Sequence, residues 1–145
     1  MEKEKSTGRK VSLVWLFTLP LLGVVHRLFV LLGWLQMGSW LNFIMMLFIP
    51  VVWIYIILQE TDEPFAPLFF IGFLSGLLVS ITELIYWLIT REPLGPADTN
   101  WSLDDLLGAI NQLLLVIFPF IGHIMLGLLT GAIAGFIGKR IVENR

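Results

Sequence analysis

The sequence contains no cysteine, which excludes disulfides, thiol catalysis and cysteine-ligated metals and leaves the redox compartment open. It is also short of charge. Only 14% of its 145 residues are Asp, Glu, Lys or Arg, against about a quarter in an ordinary soluble domain. Nine basic residues against eleven acidic ones leave a formal net charge of −2, so no basic field attracts nucleic acid, and none is expected as a partner. The two histidines form no HExxH or similar metal-ligand spacing, and no nucleophile stands at a telling distance from a base. No catalytic residue and no metal site is read from the chain, and an enzyme is less favoured than a non-enzymatic role.

Long apolar runs replace the missing charge. The chain is 57% hydrophobic, with a mean hydropathy of +0.88. Four stretches stand out, at 11–32, 40–58, 68–90 and 113–138. Each reaches the roughly 20 residues that cross a hydrocarbon core about 30 Å thick. In lipid every backbone polar group must be satisfied within its own segment. The expected fold is therefore an all-α integral membrane protein, a four-transmembrane-helix bundle. The charged segment 1–10 reads as a tail, 11–138 as the membrane domain and 139–145 as a second tail. The apolar run from Val11 is longer than a signal-peptide core and lacks a convincing small-x-small site, so it reads as an uncleaved anchor.

Basic residues set the expected orientation. Lys3, Lys5, Arg9 and Lys10 precede the first span, and Lys139, Arg140 and Arg145 follow the last. Between spans three and four, Arg91 stands against Glu92, Asp98, Asp104 and Asp105. The positive-inside rule then puts both termini in the cytoplasm and 91–112 outside, with the cell membrane as the expected location. Trp34, Trp40, Trp87 and Trp101 fall near the external interface, and Trp15, Trp53 and Tyr55 near the cytoplasmic one, as aromatic belts do. From Leu103 the apolar positions 103, 106, 107, 110, 113 and 114 keep helical spacing, with Ser102 as a cap. A short amphipathic external helical segment is expected there, running into the fourth helix. Pro20, Pro50 and Pro119 lie inside spans and are expected to kink them.

Two patterns carry the interior. Gly72, Gly76 and Ser80 repeat at spacing four in the third span, as do Gly127, Gly131 and Gly135 in the fourth. Small residues let backbones approach where lipid gives no hydrophobic drive, so these stripes are expected to pack antiparallel. The ending Gly127–Arg140 resembles the glycine-zipper type of membrane helix, a likeness that implies packing and carries no functional residues. The second pattern is polar. His26 and Arg27 lie 16 and 17 residues from Lys10, Asn42 lies 18 from Glu60, Glu83 lies 16 from Pro67, and His123 lies 16 from Lys139. At about 1.5 Å per residue all five sit roughly 24–27 Å above the cytoplasmic edge. Ionisable groups at that depth seek partners, so Arg27 is expected to pair with Glu83, with Asn42 and the histidines filling spare hydrogen bonds.

Three functions compete for this layer. Small size and the lack of an extramembrane domain favour a structural, anchor or assembly (accessory) subunit of a membrane complex. An oligomeric small transporter or channel using the polar layer is the alternative. No cofactor is predicted outright, but haem or a pigment held between His26 and His123 is the further option. Expected partners are the lipid bilayer and either other membrane subunits or further copies of the chain.

Overall fold

The computed structural model describes residues 10–90 and 103–144. Among these, all regular structure is helical: α1 (Leu13–Thr18), α2 (Leu21–Leu31), α3 (Trp40–Glu60), α4 (Phe65–Thr90) and α5 (Leu103–Glu143). Together α1 and α2 make one apolar segment, Leu13–Leu31, and with α3, α4 and Ile117–Glu143 of α5 give four segments long and apolar enough to cross a membrane. The expectations placed on 1–9 and 91–102, including Trp101 and the Ser102 cap, lie outside the described residues.

The three prolines behave differently. Pro20 breaks the first segment, because it has no N–H to offer the Leu16 carbonyl one turn back. The chain tightens there, with Leu22 N donating to Leu19 O at 3.2 Å and Gly23 N to Pro20 O at 3.1 Å. The indole Nε1 of Trp53 then donates to Leu19 O at 3.0 Å, tying α3 to the break. Trp53 and Leu19 are each 3% exposed, so Trp53 belongs to the core and not to an aromatic belt as its position suggested. Pro50 and Pro119 lie within continuous helices.

Turn chemistry fixes the connections. Gly33 and Gly38 between α2 and α3 have φ of 75° and 80°, a region that favours glycine. Ser39 caps α3, its hydroxyl accepting from Asn42 N at 3.2 Å. Helix α4 begins at Phe65, three residues before the expected 68. Pro67 falls in its first turn, where a missing N–H costs nothing. Helix α5 joins the expected amphipathic stretch and the fourth span in one helix of 41 residues, about 60 Å long. It runs on through Lys139 and Arg140, whose charge suits a helix C-terminus.

The centre of the bundle is the antiparallel pair α4–α5, built on the two small-residue stripes. A Cβ on Gly72 would meet the Gly127 carbonyl and lie 2.5 Å from Gly131 Cα; one on Gly76 would lie 2.5 Å from the His123 carbonyl. Ser80, 1% exposed, donates to Gly76 O (2.9 Å) and is also placed to donate to Phe120 O (2.8 Å) across the interface. Gly135 sits against Phe65. Nearer the end that holds the α3–α4 turn, Ile57, Leu68 and Ile71 are fully buried beside Trp53, Leu19, Ile49 and Ala134. Outward faces carry large apolar side chains, such as Trp40 at 81% and Phe118 at 69% exposure. An apolar exterior around a core containing charge inverts the pattern of a water-soluble fold.

Candidate functional site: a polar chamber between four helices

The five polar residues do converge, but as two groups. Arg27 on α2 donates from Nη2 to Glu83 Oε1 on α4 at 2.6 Å. His123 on α5 brings Nδ1 to 3.0 Å from Glu83 Oε2. That contact is too poorly aligned to be a hydrogen bond, so its strength depends on the charge of the ring. Separately, His26 Nε2 and Asn42 Oδ1 bond at 2.9 Å, linking α2 to α3. Asn42 therefore serves His26 and not the Arg27–Glu83 pair. The side chains of Arg27 and Glu83 are 14% and 25% exposed, so the charges are largely withdrawn from solvent and depend on each other.

Next to these groups lies a cavity of about 360 Å³, at the lower end of the range for small-molecule pockets. On α5 it is lined by His123, Leu126, Gly127 and Thr130, at i, i+3, i+4 and i+7, which is one face of a helix. Residues 23, 26, 27 and 30 of α2 repeat that spacing. Met37 and Gly38 line it at the α2–α3 connection, and Trp53 lines it about 17 Å along α3 from Asn42. Its upper part is thus polar, with His26, Arg27, Asn42 and His123. Its lower part is walled chiefly by Ile49, Pro50, Trp53 and Leu126. Glu83 does not line the cavity; it holds Arg27 and approaches His123 from outside the wall.

Sequence reasoning missed Trp53, Ser75 and Thr130 as cavity residues. Thr130 was legible as the i+7 partner of His123. Trp53 was not, because its place depends on a contact with Leu19 O, 34 residues away in sequence. The packing residues Gly76 and Gly127 also line the cavity, so the backbone contact that joins α4 to α5 forms part of its wall.

Comparison with protein-family models, curated proteins and solved structures gives no match. Function is therefore argued from the chain's own chemistry. The haem option rests on His26 and His123. His26 Nε2 is engaged by Asn42 and His123 Nδ1 lies beside Glu83, which leaves one ring nitrogen on each histidine.

Proposed function

We propose that the protein is an integral membrane protein that crosses the cell membrane four times, with both termini cytoplasmic, and that its chamber binds a small solute as the site of a small carrier. One observation carries this reading: polar side chains from four helices are gathered around a cavity rather than packed solely against one another. A purely structural polar layer needs no such space. Membrane-embedded ionisable groups facing a cavity commonly mark a substrate path. In this orientation the cavity end lined by Met37 and Gly38, in the α2–α3 connection, is the external one. A carrier this small implies several copies in the working assembly.

The accessory-subunit reading, which the sequence alone favours, becomes the second, supported by the glycine contact and the Arg27–Glu83 pair, both of which fix one packing. Water access separates the two. Because the chain has no cysteine, a single Thr130→Cys variant reports from the chamber alone. A small charged thiol reagent added outside intact cells should label it at least about tenfold faster than Leu129→Cys, which lies on the apolar exterior at 58% exposure. Equal, slow labelling of both would mean a sealed chamber, and the accessory reading would replace the carrier one.

A further inference from the structure

We infer that the chamber takes an amphiphilic anion: a carboxylate- or phosphate-type head on a short apolar tail. The inference rests on the solute-binding reading above and names its ligand class. It comes from which atoms face the space. The polar part of the wall contains Arg27, His26, His123 and Asn42, and no carboxylate among the described residues. Glu83 balances Arg27 from outside that wall.

The donors there are under-used. A guanidinium has five N–H donors, and its bond to Glu83 runs through Nη2. In the His26–Asn42 bond the amide oxygen can only accept, so His26 Nε2 carries the hydrogen. The Asn42 amide nitrogen is then left with a weak 4.0 Å contact to Met46 Sδ. Unspent donors beside a cationic group select a ligand rich in acceptors. They reject an ammonium head, which would bring more donors and a like charge.

The rest of the space suits a tail. Apart from Ser75 and Thr130, the lower wall is apolar, and Trp53 spends its N–H on Leu19, so what it offers the cavity is ring carbon. Head and tail are thus recognised at opposite ends of one cavity.

The test uses full-length Thr130→Cys protein reconstituted in neutral phosphatidylcholine vesicles, with octanoate, octyl phosphate, octanol and octylammonium as probes. Octanoate or octyl phosphate should slow thiol labelling about tenfold, and octanol and octylammonium less than about twofold. Which of the two anions protects better distinguishes a carboxylate from a phosphate head. In the Thr130→Cys background, Arg27→Gln with Glu83→Gln keeps the pair neutral and should abolish protection; Asn42→Ala, which leaves both charges in place, should weaken it. Protection by octanol equal to that by octanoate, or protection surviving in the double Gln variant, overturns the anion assignment while leaving the chamber intact. Absence of labelling without any probe overturns both.

Discussion

Replacing Glu83 with Ala is expected to destabilise the bundle by about 3–5 kcal/mol, because Arg27 is left buried without its counter-charge. Arg27→Ala should cost a similar amount for the mirror reason. The size comes from stranding one charge and not from the net worth of the bond, which desolvation largely offsets. Hence Arg27→Met combined with Glu83→Leu should recover most of the loss, and the swap Arg27→Glu with Glu83→Arg should recover part of it. Reversible unfolding in a mild detergent measures all four variants. Two single variants that each unfold like the wild type would mean that the pair is already solvated, and the chamber wall would lose its anchor.

Gly127→Leu should be nearly as damaging, for a steric reason. A Cβ at Gly127 would meet the Gly72 carbonyl and lie 2.8 Å from Gly76 Cα. Those are backbone atoms that cannot rotate away, so α4 and α5 must separate. Overpacking typically costs about 1–3 kcal/mol, and this case belongs at or above the top of that range. Gly122 on the same helix has nothing within 4 Å of an added Cβ. Gly122→Leu should therefore shift stability by no more than about 0.5 kcal/mol. The contrast controls for residue type and helix propensity, and unfolding midpoints of the two variants decide it. Equal losses would show that the effect is not the interface.

Much of this architecture is legible in the sequence because its signals are one-dimensional. Apolar length sets the spans, and spacing-four glycines set the tightest contact. Residue counts from helix ends put Arg27, Glu83 and His123 at one depth. What counting cannot supply is rotation. Asn42 shares that depth, yet it bonds His26 on α2 and not the Arg27–Glu83 pair. Trp53 looks like an interfacial tryptophan by position, and its burial follows from a contact 34 residues away in sequence. Helix α4 starts three residues before the apolar run at 68, because Pro67 fits a first turn, where its missing N–H is no loss. The cavity itself has no linear signature, since it is space left by faces of four helices.

The proposed four crossings, with the Met37 and Gly38 end of the chamber outward, call for sided thiol labelling of single-cysteine variants in intact cells. Gln36→Cys lies in the α2–α3 connection, Asp62→Cys in the α3–α4 turn and Glu143→Cys at the end of α5, and all three positions are exposed. An impermeant reagent should label Gln36→Cys at once, and Asp62→Cys and Glu143→Cys only after the cells are opened. Labelling of Asp62→Cys or Glu143→Cys in intact cells, with Gln36→Cys protected, would invert the orientation; labelling of Gln36→Cys and Asp62→Cys alike would contradict the span between them.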